Sequence, residues 1–273
     1  MDRLKASLKR VLASISPRAA RTAVQYNRSL QSRRRQARAG RLDKSFYYPQ
    51  QLDCQIPQIG NLYSQFLGNR NHGVFVEIGA NDGVFVSNTW GLAARSWRGL
   101  MVEPVPELAA ACRKNHRGHP DVTVVETAIN DGSQNEVSLF LAGGLTTANP
   151  EQKREYDTIE WSSYELTGRS LVVPAQTLDR LLENSDIPAD FDVLVVDVEG
   201  LETAVFAGFT LPKWRPKLMI IELVDIHPEM SATRNADAML GRSLVAAGYV
   251  VVYKDTINTV LVREDIWEIA YSS

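Results

Sequence analysis

Apolar residues along this chain gather in short saturated blocks. Residues 74–78, 99–102, 193–196 and 218–223 are each almost wholly aliphatic and end at a glycine or an acid. Runs of that length fit strands buried on both faces, the pattern of a parallel sheet. Between them the spacing predicts helices over 88–95, 106–115, 178–184 and 232–246, with another through Val205. A third strand is expected over 122–129, a further alternating one over 136–141 and another over 171–174. Strands at 249–253 and 259–263 close the chain. Strands alternating with helices predict an α/β fold: a doubly wound, mainly parallel sheet covered by helices on both faces.

Two stretches depart from this rhythm. Residues 142–170 open on Gly143-Gly144 and run through a polar segment dotted with Tyr156, Trp161 and Tyr164. A stretch that long without periodicity inside a compact domain predicts a functional loop or lid. Residues 1–16 place Leu4, Leu8, Val11, Leu12 and Ile15 at helical spacing among Arg3, Lys5, Lys9 and Arg10. That is a basic amphipathic helix, stopped by Pro17 and followed by an arginine-rich tail. The expected organisation is an N-terminal extension (1–44), a cap segment (45–72) with a helix at 62–67, and a catalytic-type domain (73–273) carrying the 142–170 insertion.

Charge sharpens this division. Residues 1–44 hold thirteen Lys/Arg and two Asp/Glu, +11, leaving −13 for the rest of a chain whose net charge is −2. Such a tail suits an anionic membrane surface, and it also mimics an organellar transit peptide. Nucleic acid is disfavoured, because no aromatic platform for bases is interleaved with the arginines. Cys54 and Cys112 show no metal-ligand spacing and fit a reducing compartment. With no secretory block and no membrane-length apolar run, a cytoplasmic protein, at most peripheral to the membrane, is expected.

The chemistry begins at the first strand. Glu77-x-Gly79-Ala80-Asn81-Asp82-Gly83 is a strand end and glycine turn, the ligand-binding corner of such a sheet. It lacks the Gly-x-Gly-x-x-Gly that receives a pyrophosphate, and its acids repel phosphate. A cationic ligand without phosphate fits better, and S-adenosylmethionine is one. Glu103, twenty residues after Gly83, stands where an acid holds two ribose hydroxyls. Asp131 follows the third strand, toward the adenine edge or in a turn of its own. Cofactor contacts are therefore expected from Glu77, Gly79, Asn81, Asp82, Gly83, Glu103, Asp131 and Asp197.

A second acidic set follows at the next strand ends: Asp197, Glu199, Glu222, Asp225, with His227 beside them. A hydroxyl attacking a methyl near neutral pH needs a base or a metal. Histidine is the side-chain type suited to proton transfer near neutral pH, so His227 is the expected base, with Asp197 and Glu222 as catalytic partners. Asp197, Glu222 and Asp225 are the alternative, as oxygen ligands for Mg²⁺ or Mn²⁺. Glu199 and Glu202 fit a first helical turn, where acids favour the helix dipole.

These residues carry a resemblance. The Glu77–Gly83 motif, Val102-Glu103-Pro104, Thr177-Leu178-Asp179, Asp197-Val198-Glu199-Gly200-x-Glu202 and Ile220-Ile221-Glu222 resemble the FkbM family of methyltransferases over about residues 70–265. The resemblance implies a class I, Rossmann-like sheet of seven strands whose last is antiparallel. It also implies S-adenosylmethionine-dependent O-methylation of a sugar, glycolipid or secondary metabolite. It names no acceptor and does not extend to the basic tail or to 142–170. Two other readings stand beside it: an RNA or N-methyltransferase recruited by the tail, and a non-catalytic scaffold binding an adenosyl ligand.

Overall fold

A computed structural model describes residues 41–159, 162 and 167–272. The amphipathic helix expected over 1–16 and the arginine-rich stretch to residue 40 lie outside the described residues. Strands β1 (Leu42–Asp43) and β2 (Gln50–Gln51) pair antiparallel, and α1 (Ile59–Leu67) follows. The alternation then begins: β3 (Val74–Ile78), α2 (Trp90–Ala93), β4 (Arg98–Val102), α3 (Pro106–Asn115) and β5 (Val122–Val125).

The strand expected over 122–129 is split. Its first half is β5; its second half leaves the main sheet as β6 (Ala128–Ile129). There it joins β7 (Glu136–Leu141) and, across the insertion, β8 (Arg169–Gln176) in a separate three-stranded sheet of order β6-β8-β7. The described part of the insertion also holds regular structure that its polarity hides, a 3₁₀ turn at Gly143–Leu145 and helix α4 (Pro150–Thr158). Asn149 caps α4 by accepting from the N–H groups of Glu151 and Gln152, and Pro150 occupies the first turn. Its buried face is Gln152 and Tyr156, so it leaves no apolar stripe to read.

The chain continues through α5 (Leu178–Glu183), β9 (Val193–Val196), α6 (Glu202–Ala207), α7 (Leu211–Trp214), β10 (Leu218–Glu222) and α8 (Arg234–Ala246). Strands β11 (Tyr249–Lys254) and β12 (Asn258–Arg263) complete the seven-stranded sheet, of order β11-β12-β10-β9-β3-β4-β5. Only β12 runs antiparallel to its neighbours, against β10 and β11. A final helix, α9 (Glu264–Ser272), was not anticipated.

Successive residues of the central strands point to opposite faces and build two cores. Val76, Ile78, Leu194, Val196, Met219 and Ile221 pack with Leu178, Leu182, Val205, Leu240 and Leu244 from α5, α6 and α8. Phe75, Met101, Val193, Val195, Leu218 and Ile220 pack instead with Tyr48, Ile59, Tyr63 and Trp97. The segment 45–72 is therefore one wall of the domain. Ile266, Trp267 and Ala270 of α9 close the same face. No helix among the described residues is long and apolar enough to cross a membrane.

Candidate functional site

Strand order reverses between β3 and β9, since β4 lies on one side of β3 and β9 on the other. The crevice at the carboxyl ends of those strands is where such sheets bind ligands. A cavity of about 790 Å³ opens there, floored by Ile78, Val102, Val195 and Glu222. Its walls come from the β3 loop, the small sheet (Val137, Leu139), the insertion (Gly143 to Thr146, Tyr156) and the cap segment (Asp53, Gln55).

The β3 loop is tied down by acids. Glu103 Oε2 accepts from the Asn81 N–H (2.8 Å) and Oε1 from the Val105 N–H (2.9 Å), so one carboxylate joins the first two loops. Burial pushes its pKa to about 7. Glu77 Oε2 accepts from Thr89 Oγ1 (2.7 Å), and burial pushes Glu77 to about 8. Glu77, Gly79, Asn81, Glu103 and Asp197 all line the cavity.

Asp82 and Gly83 do not. Asp82 Oδ1 turns inward and accepts from the N–H groups of Val84 (2.9 Å) and Phe85 (2.7 Å). Gly83 has φ +73°, and a Cβ there would meet Cys112 Sγ and His116 Nε2 at 2.7 Å. These two residues shape the loop from behind. Gly79 also serves the fold: at φ +89° its Cβ would lie 1.7 Å from the Asp197 carbonyl oxygen. Glycine is required there because β3 and β9 converge.

The β9 loop presents the second acidic set. Gln55 Nε2 donates to Asp197 Oδ2 (3.0 Å), bringing the cap segment into the site. Glu199 adopts φ +55° and accepts from the Tyr156 hydroxyl of α4. Glu202 folds back to accept from the Val198 N–H (3.0 Å), as suits an acid in a first helical turn. Asp197, Glu199 and Glu222 each bring an oxygen within 4.8 Å of the others. Burial, then the like charge of Asp197, drives Glu199 well above the usual carboxylate range. Burial, then the charge of Glu199, does the same to Glu222.

Three expected site residues stand elsewhere or act differently. Asp131 is fully exposed, outside the cavity, and accepts from the Ser133 N–H in its own turn. Asp225 is drawn away by Lys254, whose Nζ donates to its Oδ2 (2.7 Å); Glu199 takes its place among the clustered carboxylates. His227 does line the cavity, but its Nδ1 accepts from the backbone N–H groups of Met230 (2.9 Å) and Glu229 (3.2 Å). The neutral ring then carries its proton on Nε2, leaving no free lone pair for a base. His227 faces the cavity as a hydrogen-bond donor.

Sequence reasoning missed Gln55, Tyr156 and the inward turn of Glu199. Tyr156 had a trace of signal, as one of the aromatics in an otherwise polar insertion. Gln55 had none, because its contact with Asp197 spans 142 residues.

The sequence profile described as the methyltransferase FkbM domain matches residues 77–251. No curated protein matches the chain. Among solved structures, a putative O-methyltransferase from Klebsiella pneumoniae is 13% identical, with TM-score 0.42, covering 75% of this chain and 77% of its own. An O-methyltransferase from Bacillus cereus in complex with SAH is 15% identical, TM-score 0.42, covering 77% and 83%. A precorrin-6y C5,15-methyltransferase from Geobacter metallireducens is 12% identical, TM-score 0.40, covering 81% and 94%.

Proposed function

The chain belongs to the FkbM methyltransferase family, and from that footing we propose that it transfers the methyl group of S-adenosylmethionine to a hydroxyl of a sugar, glycolipid or secondary metabolite. The observation that carries the reading is the acidic lining of the cavity, whose buried carboxyls a bound cation drives toward their charged forms. Asp53, Glu77, Glu103, Asp197, Glu199 and Glu222 line it, and no Lys or Arg is among its described lining residues. Such a site attracts a sulfonium and an ammonium and repels the phosphates of a nicotinamide dinucleotide or of RNA.

In this arrangement Glu103 faces the ribose. Leu108, Ile129, Val137 and Leu139 would receive the adenine in an apolar slot, and Gly79 and Asp197 would face the aminoacyl end. The acceptor enters between Gln55, Tyr156 and His227. S-adenosylmethionine would supply an activated methyl group whose carbon–sulfur bond breaks as the acceptor oxygen takes it, and a carboxylate of the Asp197–Glu199–Glu222 group would accept the acceptor's proton. Holding the two reactants in line supplies several kcal/mol of the barrier. The His227 Nε2–H orients the acceptor.

Calorimetry with S-adenosylmethionine and, separately, a nicotinamide dinucleotide tests the cofactor. Binding of the first alone is expected, and a folded protein that binds only the dinucleotide, or neither, overturns the reading. Transfer of labelled methyl from S-adenosylmethionine to hydroxyl, amine and RNA acceptors then tests the substrate class.

A further inference from the structure

We propose that Asp197, Glu199 and Glu222 form a divalent-cation site at the acceptor end of the cavity. One oxygen of each lies within 4.8 Å of the others. Mg²⁺ holds its oxygens at about 2.1 Å, so oxygens already gathered this closely need only small side-chain rotations to converge on one ion.

The oxygens are also divided in a way that leaves ligands over. Gln55 occupies Asp197 Oδ2 and Tyr156 occupies Glu199 Oε2, leaving Asp197 Oδ1 and Glu199 Oε1. Glu222 is 8% exposed, and its Oε2 is buried without a hydrogen-bond donor. A buried acceptor without a donor is costly, and each such group in a folded protein calls for a partner. No Lys or Arg lines the cavity among its described residues to serve as that partner. An all-oxygen set of three carboxylates suits Mg²⁺ or Mn²⁺.

The donor set differs from the one the strand-end acids suggest. Asp225 is held by Lys254, and Glu199 enters through its left-handed backbone. The site deepens the methyltransferase reading, on which only its role depends. An ion held by these carboxylates would supply Lewis acidity that lowers the pKa of the acceptor hydroxyl. Its proton passes to a carboxylate oxygen of the group that does not hold the ion, while the carbon–sulfur bond of the methyl donor breaks and sulfur keeps the bonding pair. The competing arrangement is one in which the carboxyls share protons and hold no ion.

Mn²⁺ alone, titrated into the full chain and followed by the paramagnetic resonance of free Mn²⁺, separates the two. One bound Mn²⁺ per chain is expected, displaced by Mg²⁺. Glu222→Gln and Glu199→Gln should each weaken it by about tenfold or more, the scale of a disturbed metal shell. Asp225→Asn should leave it unchanged. Circular dichroism identifies a variant that fails to fold, and the other then decides. Wild-type protein that leaves Mn²⁺ free, or folded Gln variants that hold it as the wild type does, overturns the proposal. S-adenosylmethionine calorimetry on the same samples keeps the failures apart. Cofactor bound without Mn²⁺ sinks the cation site alone, and Mn²⁺ bound without cofactor sinks the cofactor reading.

Discussion

Glu199 occupies a backbone conformation that a residue with a Cβ enters only when its surroundings hold it there. From the sequence it is one more acid at a helix start; its direction is set by φ +55°, which no pattern of residue types reveals. Asp197 and Glu222 were legible because a strand buried on both faces must end in something polar. Tyr156 fixes Glu199, so Tyr156→Phe should lower turnover while S-adenosylmethionine affinity stays within about twofold, the Kd scale of a few tenths of a kcal/mol. Equal losses in both would place Tyr156 in the cofactor site instead. His227→Asn keeps a side-chain acceptor for the Met230 N–H and removes the ring. A general base would cost about 10²–10⁴-fold in kcat; loss of less than about tenfold is expected, because an orienting hydrogen bond amounts to about 1 kcal/mol. At the cofactor end, Glu103→Ala should weaken S-adenosylmethionine by about 1–3 kcal/mol in calorimetry. Unchanged affinity in a folded variant would take Glu103 out of the site.

Elements were legible where burial is two-sided and illegible where the buried face is polar. The four central strands and α3 appear within about one residue of where the sequence places them, because a parallel sheet demands saturated apolar runs. The split of β5 from β6 was hidden, since Glu126-Thr127 is a small break in an apolar stretch. It is set by long-range pairing of Ala128 with Ala175 and by Thr127 Oγ1 donating to the Pro174 carbonyl (3.1 Å). Helix α4 was hidden for another reason: apart from Tyr156, which packs on Val224 and Met230, it is held by polar staples. Thr147 Oγ1 donates to the Glu199 carbonyl (2.7 Å) and Asn149 Nδ2 to the Gly200 carbonyl (2.8 Å). On the other rim, Glu155 Oε1 accepts from the Ser231 N–H (2.6 Å). The helix thus joins the β9 loop to the loop after His227 and roofs the acceptor end. Asn149→Ala removes both the cap and one staple. It should cost about 1–2 kcal/mol of local stability, read as faster hydrogen exchange confined to α4, with kcat falling more than cofactor affinity. Exchange rising throughout the domain would show α4 to be part of the global folding unit.

At the scale of the molecule, acids and histidines inside one domain set opposing pH dependences. Burial holds Glu77 at about 8, Glu103 at about 7 and Glu202 at about 8, all above their unfolded values. At these groups the folded chain binds more protons than the unfolded one, so this part of its stability is full below the ordinary carboxyl value of 4.5 and is lost progressively as pH rises to about 7 to 8. His116 and His119 behave oppositely, for burial lowers both. His116 Nε2 donates to the Gly83 carbonyl (3.0 Å), and its Nδ1 lies 3.0 Å from His119 Nδ1, a pair that resists full protonation. Their contribution is lost as pH falls below about 6.5. Above pH 6.5 the buried acids alone still titrate, so without ligand Tm should decline from pH 6.5 to pH 8.5. A cationic cofactor changes the balance, because a sulfonium and an ammonium beside these carboxylates favour their charged forms. The rise in Tm on adding saturating S-adenosylmethionine should then be larger at pH 8.5 than at pH 6.5. Scanning calorimetry at the two pH values decides it. A ligand-free Tm that climbs from pH 6.5 to 8.5, or a cofactor-induced shift that shrinks over the same range, would mean that the buried acids are neutralised from within and that the charge of the cavity does not select its ligand.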